Sequence, residues 1–179
     1  MNRAVHRDLG YFFMFMSIIY GISGIAMNHR HEWNPNYNIT QQTHQLELPP
    51  QPMEDSKELS SFFLNQVDPK ATYRTQLVQN NNLRIFVEHG SLNVDLLSGQ
   101  AQYEIIRRRP VLYHFNQLHY NTPQKLWTWF SDAYALGLII LAVTGLFILK
   151  GKNGITRRGA WLTAAGVIVP LILIFLYFS

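Results

Sequence analysis

The amino-acid sequence predicts a membrane protein with three transmembrane helices and a small α+β domain inserted between the first two of them. Three apolar stretches carry this prediction, at residues 9–27, 133–149 and 161–178. Each is close to the roughly 20 residues that a helix needs to cross the hydrocarbon core of a bilayer. The more polar residues 28–125 separate the first stretch from the second, and they are numerous enough to form one small domain.

The charges that flank the apolar stretches predict the sidedness of the chain. Arg3 and Arg7 precede the first stretch, and four basic residues connect the second to the third: Lys150, Lys152, Arg157 and Arg158. Lysine and arginine near the ends of membrane helices stay in the cytoplasm. The sequence therefore predicts a cytoplasmic N-terminus, with residues 28–125 and the C-terminus on the opposite side of the membrane.

The first apolar stretch is expected to remain in the protein as an anchor. Its 19 residues exceed the apolar core of a typical cleaved signal peptide. It is followed by Met27, Asn28, His29 and Arg30, and not by the small residues of a cleavage site.

Composition excludes several classes of site and partner. The chain has no cysteine, which excludes disulfides, thiolate metal sites and iron–sulfur clusters. The net charge of +4 arises largely from the basic flanks and from one run, Arg107, Arg108 and Arg109, so it does not indicate a nucleic-acid partner. That run is expected to be a solvated strand end or a contact with lipid phosphates.

Residues 29–110 are predicted to form one helix packed on an antiparallel sheet, after an N-terminal coil. Four prolines and the lack of periodicity indicate the coil at residues 31–52. Apolar residues at helical spacing predict a helix over Ser56–Val67. Short runs bounded by turn residues predict four strands, at residues 72–79, 83–89, 92–96 and 102–108. The expected core comprises Phe62, Phe63, Leu77, Ile85, Val87, Val94 and Ile105.

The membrane helices are predicted over residues 1–28, 123–150 and 159–179, with an amphipathic interfacial helix over residues 111–122. Thr122 and Pro123 are expected to be the N-cap and the first residue of the second membrane helix. Its outer end carries an aromatic belt, typical of a membrane interface: Trp127, Trp129, Phe130 and Tyr134. The short polar loop that follows it predicts an antiparallel hairpin of the second and third helices.

Two pairs of small residues at spacing four lie in the first and second helices. Ser17 and Gly21 form one pair, and Ala133 and Gly137 form the other. Small residues at this spacing let helix backbones approach closely. We expect packing within one chain, with a homodimer or a larger membrane complex as the alternative.

Three short patterns, in the right order, resemble those of PepSY-associated transmembrane proteins. The opening His6-Arg7-Asp8-Leu9-Gly10 is similar to the start of that family's first helix. The segment Val94-Asp95-Leu96-Leu97-Ser98-Gly99 resembles a turn within the PepSY domain. Leu118-His119, followed by Thr144-Gly145-Leu146, resembles the family's pattern before and within the second helix.

This resemblance implies a bacterial inner-membrane protein with a PepSY-like periplasmic domain. Some larger members resemble haem-containing reductases of ferric siderophores, which implies b-type haem and electron transfer towards a ferric substrate. If the chain is an enzyme, it is then an oxidoreductase of the ferric-reductase kind. It has only the first half of the larger plan. The alternative to electron transfer is therefore a non-catalytic PepSY module that binds a partner protein or ligand as an accessory subunit of a larger complex.

The candidate haem ligands are His6, His29 and His119, which lie near the predicted helix ends; His6 and His119 belong to the patterns of the resemblance. His6 and His29 are 23 residues apart, or about 34 Å along one helix, so they cannot share a haem. His29 and His119 lie on the same predicted side and are the favoured pair. A haem near His6 would need that residue from two subunits, or a single axial ligand.

The other histidines and one carboxylate are expected to be structural. His29 and His31 are two residues apart and point apart on a strand or a helix, so no metal site is predicted there. His44 and His89 are expected to be solvated, and His114 to be a packing residue. Asp132, near the outer end of the second helix, is expected to have a polar partner, because a carboxylate is costly near lipid.

Overall fold

The computed structural model describes residues 2–50 and 56–178. The chain divides into two compact units. The helical unit comprises Met1–Ile25 and Gln117–Ser179, and the sheet unit comprises Ala26–Asn116. Each unit is described by itself below.

The helical unit is built on three helices that are long and apolar enough to cross a membrane. Helix α1 covers Asn2–Asn28, α4 covers Leu126–Leu146 and α5 covers Arg158–Phe178. A short helix, α3, covers Leu112–His119 and ends in this unit. The protein is therefore a membrane protein by the length and composition of its helices.

Helices α1 and α4 contact each other where Gly137 of α4 faces Phe13 of α1. A Cβ atom added to Gly137 would lie 2.3 Å from the ring of Phe13, so only glycine admits that ring. Phe13 also meets Tyr134 edge to face at 5.4 Å between centroids, and the Tyr134 hydroxyl donates to Ser17 Oγ at 3.2 Å. The expected packing within one chain is confirmed for these residues, whereas a Cβ on Gly21 would have no neighbour within 4 Å.

Helix α5 exposes nearly all of its described residues, and its half-buried positions are Gly159 and Thr163. The antiparallel hairpin of the second and third helices stays a prediction. Exposed apolar residues are the expected surface of a helix that is covered by lipid.

The predicted start of the second membrane helix is wrong. Helix α4 begins at Leu126, because Gln124 and Lys125 have positive φ angles of 53° and 51° that no α-helix contains. Thr122 and Pro123 belong to the preceding turn, where the indole of Trp127 donates to Leu118 O at 2.9 Å. The helix also ends earlier than expected, at Leu146.

The sheet unit is built on helix α2 and a five-stranded antiparallel sheet. Helix α2 covers Ser56–Val67 as predicted. The strands are β1 (Tyr37–Gln45), β2 (Tyr73–Gln79), β3 (Asn82–Val87), β4 (Gly90–Asp95) and β5 (Gln100–Arg108). Their order across the sheet is β1-β5-β4-β3-β2, so β1 and β2 form its edges.

Strand β1 lies inside the segment predicted as coil, and that prediction is wrong. The strand pairs with β5 over nine residues without a register shift, from Tyr37 opposite Arg108 to Gln45 opposite Gln100. Nearly all of its side chains are exposed on both faces. A strand that buries neither face has no apolar alternation, so the usual sequence signal is missing.

The core lies between α2 and one face of β2–β5. Phe63, Leu83, Ile85, Leu92 and Val94 have no exposed surface, and Val87 is also buried. Of the other predicted core residues, Phe62 and Ile105 are half-buried and pack against this cluster.

Leu77 was expected in the core and is instead exposed over 55% of its surface. A register shift between Tyr73 and Thr75 changes which residues of β2 point towards α2. Gln76 therefore takes the inward position, where Ser60 Oγ donates to its side-chain oxygen.

Candidate functional site

His119, the last residue of α3, is held against α1. Its Nδ1 lies 3.1 Å from the hydroxyl oxygen of Ser23, which is fully buried. Its ring stacks on Tyr20 at 4.4 Å between centroids, with 30° between the planes. Burial lowers the pKa of the His119 imidazole, so the ring is neutral near pH 7.

His6 has a matching environment at the other end of α1. Its Nδ1 lies 3.0 Å from Thr144 Oγ1, on α4. The side chain of Asn2 donates to Thr144 O at 3.0 Å, which adds a second bond between the same two turns. A Cβ atom on Gly145 would come within 3.3 Å of the His6 ring, so glycine leaves room for the imidazole.

These two histidines have a common chemistry but cannot act as a pair within one chain. In each, a hydroxyl on the facing helix holds Nδ1, an arrangement that fixes the ring and leaves Nε2 for a proton or a metal. Ser23, the partner of His119, is 17 residues from His6, or about 26 Å along α1. A bis-histidine haem needs two imidazoles at one depth, and the helical unit contains no other histidine. The residues of this unit therefore do not fit a bis-histidine haem.

The remaining predicted ligand, His29, belongs to the sheet unit. Its Nδ1 lies 2.9 Å from Glu32 Oε1, and both side chains are at least half exposed. This contact is a surface ion pair when the imidazole is protonated. That His29 and His119 together bind a haem stays a prediction.

Among the other histidines, His44 and His114 depart from expectation. His31, His89 and His114 are exposed, and His114 meets the ring of Tyr113 edge to face. His44 was expected in a solvated loop, but it lies on β1, opposite Ala101. It is half-buried, and its Nε2 has no hydrogen-bond partner among the described residues.

Asp132 lies in the second turn of α4 with an exposed side chain. Within residues 2–50 and 56–178 it makes no ion pair. The expected polar partner is therefore not found, and its neighbours Trp129 and Phe130, also exposed, are typical of a membrane interface.

The sheet unit contains a cleft that the sequence did not predict. Its volume is about 1090 Å³, and it lies where the β3–β4 hairpin ends beside β5. Its walls come from the start of β1, the residue after α2, the start of β2, the β3–β4 hairpin and β5. They comprise Tyr37, Ile39, Asp68, Arg74, residues 87–90, Tyr103 and residues 105–108.

The charged groups of the cleft are partly matched to one another. Arg74 and Glu88 approach to 3.5 Å. The Tyr103 hydroxyl donates to Asp68 Oδ2 at 3.0 Å. Burial and this carboxylate raise the pKa of Tyr103 to about 12. With three arginines against two carboxylates, the cleft keeps an excess of one positive charge when His89 is neutral.

The basic run at the end of β5 is only partly solvated. The guanidinium of Arg108 lies 4.7 Å from the ring centre of Tyr113, and that of Arg109 lies 5.0 Å from the ring centre of Trp33. Arg109 Nε also donates to Asn34 O at 2.9 Å. Arg107 is exposed at the cleft wall. In the amino-acid sequence, this basic run was the only indication of the cleft.

A short length of β5 backbone also faces the cleft. Ile106 N–H donates to His89 O at 2.7 Å, which directs its backbone groups towards the hairpin. By antiparallel alternation, Arg108 N–H and C=O point to the same side, away from β1. Strand β4 starts at Gly90, opposite Ile105, so the hairpin does not extend to Arg108.

Comparison with known proteins identifies the family of the chain. The family model for PepSY_TM-like proteins matches residues 9–179, nearly the whole chain, which confirms the resemblance inferred from the sequence patterns. No curated protein and no solved structure matches the chain. The chain therefore belongs to the PepSY_TM-like family of membrane proteins.

Proposed function

We propose that this protein is a membrane-anchored PepSY-type module whose sheet unit binds a ligand or a partner protein. The cleft of about 1090 Å³ in the sheet unit supports this proposal. Binding sites are typically concave, with apolar walls and a few polar groups that orient the ligand. Here the apolar part includes Ile39, Val87 and Ile105, and the polar part includes Arg107 and Tyr37.

The membrane helices serve as the anchor in this proposal. The tight contact of Phe13 on Gly137 joins α1 to α4, and α5 offers an exposed apolar surface to lipid. The basic residues in the first turns of α1 and those between α4 and α5 favour a cytoplasmic N-terminus. The sheet unit then lies on the periplasmic side of a bacterial inner membrane, together with the C-terminus.

Photo-crosslinking in intact cells tests the binding proposal. A photoreactive benzoylphenylalanine in place of Arg107 is expected to form a defined adduct, because that side chain is exposed at the cleft wall. The same residue in place of Leu97, 73% exposed in the β4–β5 turn, is the control and is expected to remain unlinked. Equal labelling at both positions, or none at either, would contradict binding at the cleft.

Electron transfer through b-type haem is the second candidate. The hydroxyl contacts that hold Nδ1 of His6 and of His119 favour it, since each leaves Nε2 for a ligand. Each iron would need its second ligand from outside the helical unit of one chain.

A visible spectrum of the detergent-purified protein decides between the candidates. We expect no Soret band from protein expressed with ample haem supply, because the helical unit lacks two imidazoles at one depth. A Soret band that disappears in His119→Ala, but persists in the control His89→Ala, would overturn this expectation and favour electron transfer. A band lost only in His6→Ala would indicate a site shared between two subunits.

A further inference from the structure

The long edge strand β1 has an open row of backbone hydrogen-bonding groups. Arg109 N–H donates to Asn36 O at 2.9 Å, so the even-numbered residues of this segment bond to β5. By the alternation of an antiparallel ladder, the odd-numbered residues direct N–H and C=O outward. In the described part of the chain, no strand pairs with that side, and residues 38–43 are exposed.

Strand β1 lacks the features that commonly protect an edge. Charges, prolines and bulges prevent edge strands from pairing with other chains. The nine residues of β1, Tyr37–Gln45, include no proline, lysine, arginine or carboxylate, and the ladder to β5 has no register shift. The opposite edge differs, because β2 carries Arg74 at an irregularity between Tyr73 and Thr75.

We propose that β1 pairs with β1 of a second copy of this chain, antiparallel and centred on Gln41. Gln41 is the middle residue of β1 and directs its N–H and C=O outward, so a twofold axis can pass beside it. This register places Tyr37 opposite Gln45 of the second copy, and Ile39 opposite Thr43. The two sheets would then form one continuous sheet of ten strands.

Charge favours a second copy as the occupant. Two β1 strands bring no like charges into opposition, which would otherwise destabilise the pairing. The nearest charge on that face is Glu104, which accepts from Gln41 Nε2 at 3.3 Å. In the proposed dimer the two Glu104 residues are three strand spacings apart, about 14 Å. That distance exceeds the screening length of about 8 Å at physiological salt.

A single cysteine tests the register, because the natural chain has none. In Gln41→Cys the two Cα atoms would lie about 5.5 Å apart, within the range for a disulfide. We expect mild oxidation of the full-length protein in its membrane to give a covalent homodimer. Leu77→Cys is the matched control, since it lies on the β2 edge and is 55% exposed. The yield at Gln41 should exceed that of the control by at least about tenfold, because pairing raises the local thiol concentration.

The proposed register also predicts which cysteines of the two copies link to each other. Co-expressed Ile39→Cys and Thr43→Cys chains should link to each other in preference to themselves. If Gln41→Cys links no better than Leu77→Cys, or links only to a different protein, pairing between two copies is wrong. Links at Ile39 alone would exclude the register centred on Gln41.

A charge at the twofold axis provides a test without oxidation. Gln41→Lys would place two ammonium groups opposite each other, and cross-strand like charges are destabilising. We expect light scattering of the detergent-solubilised protein to show the dimer for the natural chain and for Leu77→Lys, but only the monomer for Gln41→Lys. A dimer that persists in Gln41→Lys would overturn the proposal, as would a natural chain that is monomeric. These outcomes are independent of the cleft, so either proposal can fail alone.

Discussion

Phe63→Ala is expected to destabilise the sheet unit by about 3–5 kcal/mol, the usual cost of removing a fully buried phenylalanine ring. Phe63 has no exposed surface and belongs to the cluster between α2 and the sheet. The ring fills the space between α2 and the sheet, so its removal leaves a cavity in the core. For a domain of this size, such a loss lowers the midpoint of thermal unfolding by more than about 12 °C.

The neighbouring Phe62 provides the control for this measurement. It is half-buried and meets Phe63 edge to face at 5.4 Å, so Phe62→Ala removes less buried surface. Hydrogen exchange of the β3 and β4 amides in the full-length protein measures the loss of stability in both variants. The described packing of α2 on the sheet is wrong if Phe62→Ala lowers the free energy of unfolding as much as Phe63→Ala does. It is also wrong if neither variant changes the rate of amide hydrogen exchange.

The parts of the fold that the sequence predicted are those that bury one face. Helix α2 and strands β2–β5 combine apolar residues at regular spacing with polar residues between them, and their predicted ranges agree with the structure to within about two residues. Strand β1 was missed for the converse reason. Its residues are polar and exposed on both faces, so pairing with β5 defines it and periodicity does not.

Local backbone geometry explains a second group of errors. Thr122 and Pro123 have the right composition for a helix start, but the positive φ angles at Gln124 and Lys125 delay α4 to Leu126. Leu77 was expected in the core, and the register shift in β2 directs Gln76 inward in its place. Neither a positive φ at a residue other than glycine nor a shift of register has a clear sequence signal.

The candidate site was predictable only as a set of residue types. His6 and His119 were found from sequence patterns, but their partners Thr144 and Ser23 depend on which helix faces meet. The cleft is built from five separate segments, so predicting it requires the strand order of the sheet. In the sequence, only the basic run indicated the cleft, through Arg107 and Arg108.

Gly90→Ala is the second change with a large expected effect. A Cβ atom at this position would lie 1.8 Å from Glu104 O and 2.9 Å from Glu104 C. Both are backbone atoms of β5, so no side-chain rotation can relieve the clash. Gly90 also pairs with Ile105 in the β4–β5 ladder, so separating the strands would break the hydrogen bonds on either side. We therefore expect a loss at or above the upper end of overpacking costs, about 3 kcal/mol.

The measurement is again hydrogen exchange, with protection expected to fall first in β4 and β5. Gly166→Ala is the control, because a Cβ there would meet no atom within 4 Å and alanine favours a helix over glycine. Gly90 also lines the cleft, so the Arg107 photo-crosslink should weaken in Gly90→Ala and remain unchanged in Gly166→Ala. Unchanged protection of β4 and β5 in Gly90→Ala would show that the two strands do not approach as closely as described.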